Sequence, residues 1–318
     1  MILRALTALA APAGERSRLS IFYFHRVLAE ADPLLPLEPD ARTFDRILGW
    51  IGAQFRVLDP LEACDRLFDG TLPSRPAVLT FDDGYRDNYT VALPILQRHE
   101  MKAAFFIATG FLDGGVMFND RVIEAVRRCN RCSLPMPDAG EALGLGDDVQ
   151  RRVAIDRILA AIKHLPPDQR MQRVLEIEHA AGVGPPSGAM MRADDVVALH
   201  RSGMRVGGHT RTHPILLRLE DPDAEEEIAG GLDDLVSILG ERTSLFAYPN
   251  GKPGSDFGPQ HVAMVERSGV RYAFTTLAGG AVRASARLLL PRFTPWDRTR
   301  WHFGFRTLHN LRHSNDWR

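Results

Sequence analysis

The chain has 318 residues, of which 45% are hydrophobic and 25% are charged, and its net charge is −1. This composition is that of an ordinary globular protein with one large core. The near-zero charge gives no reason to expect a nucleic-acid partner, and no run approaches the roughly 20 apolar residues that span a bilayer.

The N-terminal residues resemble a secretory signal only in part. A signal peptide has a charged start, an apolar middle and a small-residue cleavage site. Here the apolar run, 5–13, is short and rich in alanine, and strand-like residues follow within a few positions. We therefore expect the N-terminal segment, 1–18, to belong to a mature cytoplasmic protein.

Strand and helix patterns alternate through the first third of the chain. This alternation predicts a parallel sheet or a barrel. The expected strands are at 19–24, 55–58, 77–81 and 103–108, and the expected helices are at 43–54, 61–68 and 89–99.

The alternation stops at residues 119–186 and resumes at 193. The interrupted part has helix-period segments and a Gly/Pro/Asp-rich link at 135–148, and we expect a mostly helical insertion. It is too short and interrupted to bury a good core alone. The last apolar strand is expected at 288–293. The predicted organisation is a segment at 1–18, a barrel at 19–294 that includes the insertion 119–186, and a C-terminal tail at 295–318.

Three cysteines do not make a disulfide framework. Cys129 and Cys132 form one CxxC without a second Cys or His pair nearby, so ordinary reduced thiols are expected. Cys64 is expected on the core face of a helix.

Two adjacent carboxylates, Asp82 and Asp83, follow the apolar run 77–81 directly. Neighbouring residues on a strand point to opposite faces, so both can serve one site only where the strand ends and the backbone turns. Gly84 permits such a turn. Two like charges this close need a cation or a proton between them, which is the arrangement of a metal ligand beside a general base.

A second motif contains two histidines, His209 and His213, four residues apart. At this spacing they lie on one face of a helical turn and can share a cation. Pro214 disfavours helical backbone at His213, so the turn is expected to be short and in a loop. The motif follows a strand, as the Asp pair does, and both loops would open on the C-terminal face of a barrel.

A third motif is a strand that runs into the turn sequence Pro249-Asn250-Gly251. A plain structural turn and a functional role are both consistent with it. A fixed turn at the mouth of a barrel can aim a backbone N–H at an oxyanion.

Together these motifs resemble the polysaccharide deacetylase family (carbohydrate esterase family 4, NodB homology). The resemblance covers roughly residues 19–293. The matching segments are Thr80-Phe81-Asp82-Asp83-Gly84, His209-Thr210-Arg211-Thr212-His213-Pro214 and 246–251, with further matches at 23–27, 84–88, 104–106 and 291–293.

The resemblance implies a distorted (β/α) barrel of about seven parallel strands and a divalent metal, most commonly Zn²⁺. It also implies that a metal-activated water removes N-acetyl groups from the amino sugars of a glycan or polysaccharide. The implied metal ligands are Asp83, His209 and His213. Asp82 would be the general base, and the N–H of Asn250 would help to hold the oxyanion.

The chain departs from the family pattern in two places. Many relatives have an arginine that steers the base at the position where this chain has Ala247. Arg292, at the end of the last strand, is the natural substitute, and a surface arginine is the alternative. The histidine that supplies the general acid is not clear either. His25, after the first strand, is one candidate, and a packed structural histidine is its alternative. His302, His309 and the Leu311-Arg312-His313 segment lie in the tail.

Other polar and aromatic residues have simpler interpretations. Asp87 either braces the Asp loop or caps the next helix, and the acidic residues 225–227 are expected to be a solvated helix start. Trp296 and Trp301 either stack on sugars or anchor the tail.

Two other functions stay open at this point. One is a metal-loaded but catalytically weak carbohydrate-binding relative, and the other is a hydrolase of a different non-peptide C–N bond.

Overall fold

Nine strands are present in the computed structural model, which describes residues 2–135 and 141–313. They are β1 (Ser20–Phe24), β2 (Arg56–Val57), β3 (Pro76–Phe81), β4 (Ala103–Ile107), β5 (Ser133–Pro135), β6 (Ala142–Gly144), β7 (Arg205–Gly208), β8 (Leu245–Ala247) and β9 (Tyr272–Phe274).

Seven of these strands form one parallel sheet in the order β1-β3-β4-β7-β8-β9, with β2 paired to the start of β3. An extended segment joins the two ends of this series, because Leu290 bridges Phe274 of β9 and Phe293 bridges Phe22 of β1. The sheet is therefore a distorted (β/α) barrel of about seven strands, which confirms the predicted fold class. The strand expected at 288–293 is present as these two bridges rather than as a regular strand.

Helices follow most of the strands. They are α1 (Ile2–Ala10), α2 (Ala41–Gln54), α3 (Pro60–Asp69), α4 (Leu93–Arg98), α5 (Phe118–Arg128), α6 (Asp148–Ile162), α7 (Pro167–Ala181), α8 (Ala193–Arg201), α9 (Asp221–Leu239), α10 (Pro259–Arg267) and α11 (Arg300–Arg312). The helix predicted at 89–99 is a π-helical turn, Asn88–Ala92, followed by α4. Pro94 lies in the first turn of α4, where its missing N–H is not needed. None of the helices within 2–135 and 141–313 has the length and apolar content to cross a bilayer.

Apolar side chains fill the barrel and close its N-terminal end. Ile21, Val78 and Phe106 belong to one buried cluster inside the barrel. Cys64 and Leu67 of α3 belong to the same cluster, so α3 packs across the N-terminal end. The expected core position of Cys64 is thereby confirmed, and the polar site is left to the opposite, C-terminal end.

The insertion after β4 has a hydrophobic cluster of its own. Its helices α5, α6 and α7 and the antiparallel β5–β6 hairpin bury residues such as Val126, Ile158 and Val174, together with Leu34 from the loop after β1. The insertion therefore has a more extensive buried cluster than its interrupted sequence suggested, and Leu34 from the barrel contributes to it. The predicted link at 135–148 contains β6, and its residues 136–140 lie outside the described part of the chain.

Both ends of the described chain are helical and pack on the barrel. Phe303 of α11 is fully buried and stacks on Phe22 of β1 with 5.9 Å between ring centroids. Gly304 leaves room for Leu3 of α1. The part predicted as a C-terminal tail thus contributes a core helix as far as Arg312, and residues 314–318 lie outside the described part.

Candidate functional site

The Asp pair lies at the C-terminal end of β3, where the backbone turns sharply. Asp83 has a φ of 76° and Gly84 a φ of 87°. The turn therefore begins one residue earlier than the sequence suggested. A left-handed conformation is costly for a residue with a side chain and is common at functional sites. Asp82 and Asp83 both line one cavity as a result.

Asp83, His209 and His213 form one compact group. The Nε2 atoms of both histidines lie 3.4 Å from Oδ1 of Asp83. One ligand atom from each residue lies within 4.8 Å of the others. Within the described residues, Oδ1 of Asp83 is buried and accepts no hydrogen bond. A buried carboxylate oxygen without a donor, facing two imidazole nitrogens, fits a divalent cation.

A backbone carbonyl sets the orientation of His209. Nδ1 of His209 lies 2.6 Å from the carbonyl oxygen of Ala247. Because that oxygen can only accept, Nδ1 carries the proton and Nε2 presents its lone pair to the group that His209 forms with Asp83 and His213. The position where relatives have an arginine therefore contributes through its backbone.

The loop that carries both histidines is not the helical turn that the spacing suggested. Thr210 and His213 have φ values of 63° and 52°, and the two imidazole centroids are 4.8 Å apart. The hydroxyl of Thr210 accepts a hydrogen bond from the His213 N–H at 3.1 Å. Two left-handed residues and this bond bring the rings together.

Glu227 of α9 holds the same loop from outside. Its carboxylate accepts hydrogen bonds from the backbone N–H groups of Arg211 (2.9 Å) and Thr212 (2.7 Å) and from the Thr212 hydroxyl (2.6 Å). The interpretation of residues 225–227 as a solvated helix start is therefore wrong for Glu227, because it is bound to the histidine loop.

Arg292 makes a two-point contact with Asp82. Nη1 and Nη2 each donate to one carboxylate oxygen at 2.7 Å, and Nε donates to the carbonyl of Thr275 at 2.9 Å. Arg292 is completely buried, which excludes the alternative of a surface arginine. The contact expected from the sequence is present, and its catalytic role stays a prediction.

This contact keeps Asp82 charged. Burial by itself raises the pKa of Asp82, but the charge and hydrogen bonds of Arg292, together with the nearby imidazoles of His209 and His25, outweigh burial, and the net pKa lies below the ordinary value. Each carboxylate oxygen retains a second lone pair beside the one that accepts from Arg292.

Asn250 lies in a left-handed turn at the end of β8, with a φ of 60°. The hydroxyl of Thr276 donates to its carbonyl at 2.7 Å and fixes the peptide. No described residue accepts a hydrogen bond from the Asn250 N–H, and the residue lines the same cavity as the Asp pair.

Among the candidate acids, His25 is the histidine at the site. It lines the cavity, whereas His302, His309 and His313 do not. Asn88 donates to the His25 carbonyl at 2.8 Å. Asp87 braces the same loop by accepting from Arg26 Nε (2.8 Å), and it gives no side-chain cap to the following helix.

The comparisons with known proteins agree with this geometry. The family model described as "Polysaccharide deacetylase" matches residues 69–132 and 170–273. The chain belongs to the polysaccharide deacetylase family. The curated relative YxkH of Bacillus subtilis (strain 168) is 33% identical over 93 residues, which is 29% of this chain and 32% of that protein. The match thus spans about a third of that relative's length.

Three solved structures share the fold of this family member. IcaB from Ammonifex degensii has a TM-score of 0.60 and 19% identity, and the match covers 95% of this chain and 99% of that one. A de-N-acetylase from Aggregatibacter actinomycetemcomitans has a TM-score of 0.59 and 15% identity, with 93% and 100% covered. The Streptococcus pyogenes deacetylase PplD in complex with acetate has a TM-score of 0.57 and 20% identity, with 87% and 92% covered.

In this deacetylase-family barrel, the insertion forms one wall of the site. The cavity has a volume of about 430 Å³, and residues of α5, α6 and α7 face the strand ends across it. Asp120 of α5 is buried in this wall, and no described residue donates to its Oδ2. Burial raises the pKa of Asp120 to about 7, against the opposing effect of Arg26, whose Nη1 lies 4.0 Å away.

The sequence did not predict that Glu227 and Asp120 belong to this site. Both lie on helices whose periodicity indicates only which side of the helix faces the core. Nothing in the local pattern distinguishes them from ordinary helix-start acids. The CxxC thiols are separate from the site, since Cys129 is buried in the insertion cluster and Cys132 is exposed, both unpaired.

Proposed function

We propose that this protein is a metal-dependent deacetylase that removes N-acetyl groups from the amino sugars of a glycan or polysaccharide. The observation that carries the proposal is the unpartnered Oδ1 of Asp83 between two imidazole Nε2 atoms, next to the arginine-held Asp82. Membership of the polysaccharide deacetylase family supports it.

Asp83, His209 and His213 would hold the metal, which we propose to be Zn²⁺. Two imidazoles and a carboxylate are a common ligand set for zinc and leave positions open. Such an ion polarises a carbonyl group and lowers the pKa of a water toward neutrality.

Asp82 would act as the general base. Its lowered pKa means that the carboxylate is ionised and able to accept the proton of the attacking water. Arg292 fixes the direction of the carboxylate through two hydrogen bonds, so the accepting oxygen is held in place before the substrate arrives.

Asn250 and His25 would complete the reaction. The free N–H of Asn250, fixed by Thr276, would donate to the oxyanion as the acetyl carbonyl becomes tetrahedral. His25 lines the same cavity, with its loop held by Asn88, and would give a proton to the leaving nitrogen.

The alternative of a catalytically weak carbohydrate-binding relative rested on the missing arginine at Ala247 and on an unclear general acid. The contact of Arg292 with Asp82 supports the deacetylase over this alternative, because Arg292 can orient the carboxylate as an arginine at position 247 would. A hydrolase of another non-peptide C–N bond remains the second candidate, since the same groups would serve any unstrained amide that fits the cavity. The cytoplasmic location also stays a prediction.

The experiment measures acetate released from N-acetylglucosamine oligomers by the purified full chain. We expect activity that is lost on dialysis against a chelator and restored by Zn²⁺. A panel of linear and cyclic amides in the same assay separates the second candidate. Hydrolysis of those amides with no acetate from any acetylated sugar would overturn the proposed substrate.

Two matched variants test the division of roles within the Asp pair. Asp82→Asn should lose turnover and keep its bound zinc, as measured by elemental analysis, whereas Asp83→Asn should lose the zinc as well. Wild-type rates for Asp82→Asn would disprove its role as the base.

A further inference from the structure

The cavity that contains Asp83, His209 and His213, the proposed metal ligands, is called the metal cavity below. A second cavity adjoins it on the C-terminal face of the barrel. Its volume is about 400 Å³, and Leu35 and Glu38 line both cavities. One wall is the loop 31–40 after β1, and the other is the chain that follows the closing segment, Pro295 to Arg298. The two cavities are therefore neighbours on one side of the barrel mouth.

Two aromatic residues line this second cavity: Phe24 is buried, whereas Trp296 is 50% exposed. An exposed tryptophan needs support to stay in place, and Arg306 of α11 supplies it. Arg306 donates to both carboxylate oxygens of Asp297 (3.0 and 3.1 Å from Nε) and also bonds the carbonyl of Thr294. Arg306 of α11 thus fixes the backbone before Trp296, at Thr294, and the residue after it, Asp297.

The opposite wall is held equally firmly. Asp32 accepts from Arg127 of the insertion at 2.5 and 3.1 Å, and Leu34 is buried in the insertion cluster. The Leu28 N–H donates to the carbonyl of Pro39 at 2.9 Å and closes the base of the loop. Because both walls are fixed beforehand, a ligand would lose little free energy in ordering them.

We propose that this second cavity binds a pyranose ring of the same glycan chain whose acetylated sugar occupies the metal cavity, with Trp296 as its stacking platform. The proposal rests on the proposed function and adds a subsite to it. The C–H face of a sugar ring is apolar and packs on an aromatic ring, while its hydroxyls need polar partners at the ring edge. The cavity offers such partners in the side chains of Glu38, Arg46 and Arg298.

Continuity with the metal cavity argues for this occupant. A glycan is a linear chain, so rings next to the reacting sugar must leave the metal cavity along the surface. Leu35 and Glu38 are shared by the two cavities, and they would lie beside the linkage between neighbouring rings. The enzyme would then prefer oligomers over short substrates.

The first test compares kcat/KM for the hexamer and the dimer of N-acetylglucosamine. Trp296→Ala should lower the hexamer-to-dimer ratio roughly tenfold, and Trp296→Tyr should restore most of it. Trp301→Ala is the matched control: Trp301 is 57% exposed, packs on Phe305 and lines a different cavity beside α1. An unchanged ratio in Trp296→Ala, or an equal fall for both substrates, would overturn the subsite.

The second test measures binding without turnover and separates the subsite from the proposed function. The hexamer is added to the full chain carrying Asp82→Asn, and the tryptophan fluorescence is recorded. We expect a change in emission that disappears with Trp296→Phe and persists with Trp301→Phe. If no acetate is released from any oligomer, the proposed function fails while this signal still supports the subsite. A signal that Trp296→Phe leaves intact, or no signal at all, overturns the subsite.

Discussion

Arg292 and Asp82, which are 210 residues apart in the sequence, form a fully buried two-point ion pair with both N–O distances at 2.7 Å. The guanidinium lies 4.7 Å from the centre of the Tyr23 ring and is fixed by Thr275 on its Nε side. An arginine from the segment that bridges β9 and β1 therefore orients the carboxylate that we propose as the base.

Replacing Arg292 by lysine should reduce kcat/KM roughly 100-fold, because a lysine keeps the charge but cannot hold both oxygens. The pKa of Asp82 should rise modestly, because the lysine keeps the charge but loses one of the two hydrogen bonds that favour the ionised carboxylate. Since only the ionised form accepts a proton, the acidic limb of the pH–rate profile should move to higher pH. The control is Arg283→Lys, an exposed arginine that pairs with Glu15. An acidic limb at its wild-type position would show that the two hydrogen bonds from Arg292 do not lower the pKa of Asp82.

Glu227→Ala should weaken zinc binding by about 10- to 100-fold, since the carboxylate fixes the loop that carries both histidines. Competition with a chromogenic chelator measures the affinity. Glu226→Ala is the matched control, because Glu226 is exposed and its carboxylate pairs with the side chain of Arg211 rather than with the backbone of the histidine loop. Equal zinc affinities in the two variants would contradict this supporting role for Glu227.

Asp120→Asn should change how stability depends on pH. Burial raises the pKa of Asp120 to about 7 in the folded protein, above its ordinary value. The unfolded chain therefore ionises first, and the wild type loses stability between about pH 4 and pH 7 through this group. The asparagine variant lacks that loss. Its free energy of unfolding, relative to that of the wild type at the same pH, should therefore rise by on the order of 3–4 kcal/mol from pH 4 to pH 7.

Urea unfolding of the metal-free proteins at pH 4, 5.5 and 7 measures this difference. Asp156→Asn, on the exposed side of α6 in the same insertion, is the control for losing a surface carboxylate. A constant difference between wild type and Asp120→Asn would mean that burial does not raise the pKa of Asp120 above its value in the unfolded chain.

Phe303→Ala should lower the free energy of unfolding by about 3–5 kcal/mol, because α11 belongs to the core and Phe303 packs on Phe22. Phe305→Ala, two residues further along the same helix and 57% exposed, should stay within about 0.5 kcal/mol of wild type. Denaturant unfolding compares the two. A small effect of Phe303→Ala would contradict the assignment of α11 to the core.

The motifs were readable in the sequence because their residues lie close together in the chain. Asp82 and Asp83 directly follow an apolar strand pattern, and His209 and His213 follow another. Alternation of strands with helices places the ends of parallel strands on one face, so the proximity of Asp83 to His209 and His213 could be predicted once the barrel was predicted. The structure brings those residues together as expected.

The tertiary structure alone decided what local patterns do not encode. Helix and strand periods report which side of an element is buried, not which distant side chain it meets. Arg292 contacts Asp82 because the sheet curls so that the segment carrying Arg292 lies between β9 and β1. Glu227 accepts hydrogen bonds from the histidine loop because α9 packs beside that loop. The left-handed backbone at Asp83 and His213 is likewise a strained local state that only the surrounding contacts maintain.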